Sequence, residues 1–209
     1  MVGVVGLGLV ARVAVLKSAA GSLLYHVSIL DTVGCVMLQP SDIYVLCGLL
    51  AADDDAWTYR ELARKLGLPH PLVQRALQRA EEAELYSSES REVHRSNMEE
   101  FLVHGLRFLA PVKLGGVVPG VPAAWAAPPV SRVIRESGDL PPVWPAAEGR
   151  VRGQALPPLH KAAVKAAEEL PRLGELLAIV DSLRAGDIRV RSVAANMLTQ
   201  LMRAQPVHG

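Results

Sequence analysis

The stretch WTYRELARKLGLPHPLVQRALQRAEEAELY, residues 57–86, decides how the rest of the chain is read. Thr58-Tyr59-Arg60-Glu61 carries the pattern of a capping box, in which a hydroxyl and a carboxylate satisfy the orphan amides of a helix start. Tyr59, Leu62, Ala63 and Leu66 then recur at helical spacing. Gly67 supplies a left-handed stop, and Pro69 and Pro71 punctuate the start of a second helix. In that helix Val73, Ala76, Leu77 and Ala80 share one face. At about 100° per residue the opposite face collects Gln74, Arg75 and Gln78, with Arg79 at its edge.

Two helices joined this way have the layout of a helix-turn-helix, whose second helix enters the major groove of DNA with its first residues towards the bases. Arg can bond bidentately to guanine and Gln to adenine, and both reach phosphate. The acidic Glu81, Glu82 and Glu84 fall in the last turn, where a helix leaving the groove carries them away from phosphate. The competing reading is two surface helices of an ordinary helical core, their Gln and Arg merely solvated.

The residues that follow suit a short hairpin: Leu85-Tyr86, then Ser87-Ser88-Glu89-Ser90, then Arg91-Glu92-Val93-His94-Arg95. With the helices YRELARKLGL and LVQRALQRAEEAELY, residues 38–95 resemble the winged-helix domain of bacterial transcriptional regulators of the MarR-like type. The resemblance implies binding of double-stranded DNA. The candidate DNA-binding residues are Thr58, His70, Gln74, Arg75, Gln78 and Arg79 from the two helices, with Arg91 and Arg95 from the wing. The sequence departs from that pattern at two places. Pro69 stands where a Ser or Thr cap is usual, a loss of about 1 kcal/mol of capping, and the short wing carries Glu89 and Glu92.

Over 209 residues the net charge is only +1, which opposes nucleic-acid binding in bulk because Lys and Arg neutralising phosphate supply much of the affinity. Local clustering offsets this, with Arg60, Arg64, Lys65, Arg75, Arg79, Arg91 and Arg95 all in the helix-turn-helix and wing. Half the residues are apolar but only 4% aromatic, so the core must be built from Leu, Val and Ala. Cys35 and Cys47 form no C-x-x-C and read as small reduced thiols of a cytoplasmic protein. The scattered histidines give no metal-ligand spacing.

Residues 4–11, VVGLGLVA, match G-x-G-x-x-G/A after a short apolar run, and Asp31 follows about twenty residues later, the spacing of a dinucleotide fingerprint. One such unit cannot bury its own sheet, and the chain passes directly into helix-turn-helix pattern. Arg12, Lys17 and Asp31 argue against a membrane span in this segment, because they leave apolar runs shorter than the about 18 residues required. Because Met37 directly precedes LQPSDIYVLCGLL, residues 1–36 are expected to be a poorly ordered N-terminal extension from a misassigned start.

Four segments are therefore expected: the extension 1–36, a winged helix-turn-helix domain over 37–110, a Pro/Gly/Trp-rich segment over 111–158 and a C-terminal helical region over 159–203. Ser41 is the expected N-cap of the first domain helix, with Ile43, Leu46, Cys47, Leu49 and Leu50 inward, and Asp53-Asp54-Asp55 end it in a solvated loop. Ser96-Asn97-Met98-Glu99 reads as a second capping box, opening a helix with Phe101, Leu102, Leu106, Phe108 and Leu109 in a core or interface. The Pro and Gly of 111–158 argue for an ordered but irregular path anchored by Trp125 and Trp144. Its run HGLRF…GVPAAWAAPP is similar to a segment of bacterial winged-helix proteins, some of which accompany nucleotidyltransferase-type toxins.

In the last region, helices are expected over 162–170, from Pro171 to Gly186, and from an Asp187 cap onward, the final two forming a hairpin. Leu176, Leu177, Val180 and Leu183, with Val193, Met197, Leu198 and Leu201, offer more apolar surface than one small core absorbs. They predict a homodimer through 171–203, helped by 96–110.

The fold class expected is mainly α: a winged helix-turn-helix, an irregular segment and a helical hairpin. The function expected is that of a non-enzymatic, sequence-specific DNA-binding regulator without cofactor or metal, since no catalytic constellation can be defended. An antitoxin or adaptor holding a toxin-like protein partner is the alternative. A nucleotide-binding protein using residues 1–31 is the third.

Overall fold

Helix α7 (Pro171–Ala185) is buried on nearly every side from Leu176 to Leu183, and much of the described helical structure packs against it. A computed structural model describes residues 37–52, 57–134 and 140–203, all within the unit Met37–Gly209. The dinucleotide-like Gly6, Gly8, Ala11 and Asp31, Cys35, and Asp53-Asp54-Asp55 lie outside the described residues. The fold is mainly α with two small β-sheets.

Helices α1 (Pro40–Ala52), α2 (Tyr59–Leu66) and α3 (His70–Glu82) come first. Strands β1 (Tyr86–Ser87) and β2 (Glu92–Val93) follow as an antiparallel hairpin, Tyr86 opposite Val93. Ser41 does not cap α1. The helix starts one residue earlier, and the Asp42 carboxylate accepts the Gln39 amide at 2.8 Å instead.

Next come α4 (Arg95–Glu100), a π-helical turn (Phe101–Gly105) and α5 (Leu106–Leu109) in one continuous run. The expected capping box at Ser96 is absent because α4 already begins at Arg95. His94 Nδ1–H and Asn97 Nδ2–H both donate to the Glu84 carbonyl, at 2.9 and 2.8 Å, and Glu99 accepts the Thr199 hydroxyl of the last helix at 2.5 Å. Leu102 and Leu106 are core residues, whereas Phe108 is 73% exposed, with the Arg107 guanidinium over its ring.

The segment expected to be irregular contains a three-stranded sheet, and that expectation is corrected. Strand β3 (Val117–Pro122) pairs antiparallel with β5 (Val151–Ala155) through its first part and with β4 (Pro142–Pro145) through its last. Strands β4 and β5 pair in parallel, Pro142 with Gln154, which closes the sheet on itself. Prolines that exclude a helix remain compatible with short strands, where a carbonyl can still accept, as Pro119 does from the Ala146 amide. The glycines permit the tight closure. A Cβ on Gly120 would lie 2.3 Å from the Trp144 carbonyl, and one on Gly153 would lie 2.1 Å from that of Pro141.

Helices α6 (Ala163–Glu169), α7 and α8 (Ile188–Arg203) complete the chain, α8 capped as expected by Asp187 Oδ1 on the Val190 amide at 2.8 Å. Helix α7 packs against α1, α5, α6 and α8. Its Leu176, Leu177, Val180 and Leu183 are thereby buried within this chain, as is Leu198 of α8, while Val193, Met197 and Leu201 are half-buried. The expected surplus on α7 does not exist.

The sheet is tied to α7 by a buried polar cluster. Trp144 Nε1–H donates to Asp181 Oδ2 at 2.7 Å, and Asp181 Oδ1 lies 2.8 Å from Arg184 Nη2. Burial pushes the Asp181 carboxyl above its ordinary range, against the opposing pull of Arg184 and Trp144. Trp144 thus anchors its segment as expected.

Candidate nucleic-acid interface

Helix α2 opens on the capping box read from the sequence. Thr58 Oγ1 accepts the Glu61 amide at 3.2 Å, and Glu61 Oε2 accepts both the Thr58 amide at 2.9 Å and its hydroxyl at 2.8 Å. It ends at Gly67, whose φ of 64° is left-handed and whose amide points back to the Ala63 and Arg64 carbonyls. Pro69 then precedes α3 with no side-chain cap, so the missing hydroxyl is a real departure.

Val73, Ala76, Leu77 and Ala80 of α3 are buried. Gln74, Arg75 and Gln78 are exposed together on the opposite side. Arg75 Nε–H donates to the Pro71 carbonyl at 3.2 Å, which steers the guanidinium along the first turn of the helix, and Gln78 Nε2 lies 3.5 Å from Glu82 Oε1. Arg60 and Arg64 are exposed on α2.

The other expected contacts are distributed differently. Arg79 is committed to the core: its Nε and Nη2 reach Asp42 Oδ2 and Oδ1 at 2.8 and 2.6 Å, and the Asp42 side chain is 0% exposed. His70 is half-buried with its ring edge-on to Tyr59, 6.0 Å between centroids. Arg91, at a left-handed φ of 59°, stacks its guanidinium 4.4 Å over the Trp57 ring and donates to the Trp57 carbonyl. It holds the hairpin turn against the entrance to α2. Arg95 is half-buried in the first turn of α4. Glu81, read as merely leaving the groove, accepts the Ser88 amide and hydroxyl and braces the hairpin against α3.

One histidine outside the expected set is built into this block. The His160 ring stacks on Tyr44, centroids 5.6 Å apart and planes 13° from parallel, and its Nδ1 accepts the Ala162 amide at 3.1 Å. Burial, then the neighbouring Lys161 charge, lowers its pKa below the ordinary 6.5. Folding therefore favours the neutral ring. The stability this contributes is present above pH 6.5 and is lost as pH falls through the lower folded value. The urea midpoint should drop as pH is lowered through this window, and His160→Gln should flatten that part of the profile. An unchanged profile in the variant would place the responsible group elsewhere.

Among the described residues no group of three or more His, Cys, Asp or Glu can hold a metal ion, and no helix is long and apolar enough to cross a membrane. No protein-family model, no curated protein and no solved structure matches this chain at a significant level.

Proposed function

We propose that residues 40–95 form a winged helix-turn-helix of the MarR-like type and that the protein is a sequence-specific, non-enzymatic transcriptional regulator binding double-stranded DNA. The observation that carries this reading is the outward face of α3. Gln74, Arg75 and Gln78 are exposed there while the whole opposite face is packed, and a hairpin follows at once. A groove-reading helix needs side chains that are free of core duties and donate to base edges, on a helix whose other side is rigidly held. Arg60 and Arg64 on α2 supply cations for phosphate. Arg79 and Arg91 contribute indirectly, by fixing α3 to α1 and the hairpin to Trp57.

With a net charge of +1 a single copy makes few phosphate contacts, so the proposal includes a homodimer whose two copies act together on one duplex. Its interface excludes the buried stripe of α7.

A mobility-shift series on fragments from the protein's own upstream region tests the reading. The wild type should retain a particular fragment. Arg75→Ala/Gln78→Ala should lose about 1–3 kcal/mol of discrimination per missing base contact while melting like the wild type. Retained selectivity in the double variant would show that α3 is not the reader. If no fragment is retarded, DNA binding is wrong, and the antitoxin or adaptor reading, with a protein partner on the same face, takes its place.

A further inference from the structure

We infer that the duplex-binding surface extends beyond residues 40–95 onto the strap His160-Lys161-Ala162, with Lys161 contacting a phosphate. This rests on the DNA-binding reading above and adds to it an element more than sixty residues further along the chain.

The strap is held rigidly beside the turn between α2 and α3. His160 stacks on Tyr44, and the Tyr44 hydroxyl donates at 2.9 Å to the carbonyl of Leu66, the last residue of α2. The Ala162 amide folds back onto His160 Nδ1, closing a tight turn with Lys161 at its tip. On the other side Ala162 adjoins the left-handed residue itself: a Cβ built on Gly67 would stand 3.5 Å from the Ala162 Cβ. Helix α6, which follows the strap, packs on α2. Lys161 is exposed, and its charge adds to burial in lowering the His160 pKa.

In a helix-turn-helix the first helix crosses the sugar–phosphate backbone as the second enters the groove, so the turn between them runs close to phosphate. A lysine at the tip of a rigid strap against that turn presents a compact charge on a flexible stem, suited to phosphate and carrying no base information. Arg60 and Arg64 lie exposed on α2, and Lys161 adds a further exposed cation on the strap that adjoins the end of that helix at Gly67. In a chain of net charge +1 each such contact matters.

Wild type, Lys161→Gln and Lys161→Glu are titrated across a salt series against the retained fragment and a random duplex of equal length. Lys161→Gln should weaken both duplexes alike, roughly three- to tenfold near 0.1 M salt, and lower the slope of log K against log salt by roughly 0.9. Lys161→Glu should weaken both further, and both variants should melt like the wild type. A wild-type slope in Lys161→Gln overturns the inference, as does a loss confined to the retained fragment. A wild type that binds neither duplex removes the DNA-binding reading, and the inference with it.

Discussion

Arg79→Ala is expected to destabilise the protein by about 3 kcal/mol, read as a fall in the urea midpoint at constant slope. The loss comes from Asp42, whose carboxylate is fully buried and would keep only the Gln39 amide, the distant Ser41 hydroxyl and the first turn of α1 for company. Removing one partner of a buried pair leaves an uncompensated charge in low dielectric, whereas removing both does not. Asp42→Leu/Arg79→Met should therefore recover most of the loss. A single variant within 1 kcal/mol of wild type would mean that water reaches the pair. The experiment also separates two roles for Arg79, since a solvent-facing DNA contact would weaken binding and leave the midpoint untouched.

Asp181→Ala should lose still more, about 3–5 kcal/mol, because it strands two donors at once. The Trp144 indole N–H would have no acceptor at Asp181, and the Arg184 guanidinium, 5% exposed, would keep the Pro157 carbonyl but lose its counter-charge. Burial pushes the Asp181 carboxyl up while Arg184 and Trp144 pull it down, so the carboxyl and its two donors stand or fall together. Asp181→Asn, which still accepts from Trp144, should lose less, and Asp181→Ala/Arg184→Met should regain most of the stability. Equal losses for Ala and Asn would remove the Trp144 bond from the explanation.

Asp42 with Arg79 and Trp144 with Asp181 are each 37 positions apart, and no local pattern links them. Arg79 illustrates the limit. Its place at the edge of the polar face of α3 follows from helical phase alone, but phase does not say whether an edge residue meets solvent or another helix. Asp42 of α1 decided that. Arg91 is similar: its position in a hairpin turn was legible, while its stacking on Trp57 depends on how the hairpin folds back. The exposed Gln74, Arg75 and Gln78 were legible because they lie diametrically opposite an apolar stripe.

The sequence by itself determined the local units. Thr58 with Glu61, the left-handed Gly67, the buried face of α3, the hairpin after Tyr86 and the Asp187 cap all follow from interactions within a few residues. Long-range contact was decisive elsewhere. The Pro- and Gly-rich middle looked irregular because a strand is only as regular as its partner, and β3 meets β4 and β5 through residues some twenty to forty positions away. The apolar surplus on α7 looked like an interface because an apolar stripe gives no sign of which neighbours cover it. The tertiary structure surrounds it with α1, α5, α6 and α8, and places Ala162 beside Gly67 in the same packing. Short-range hydrogen bonding and helical phase can be read along a chain. Burial and charge pairing depend on which distant segments share the same space.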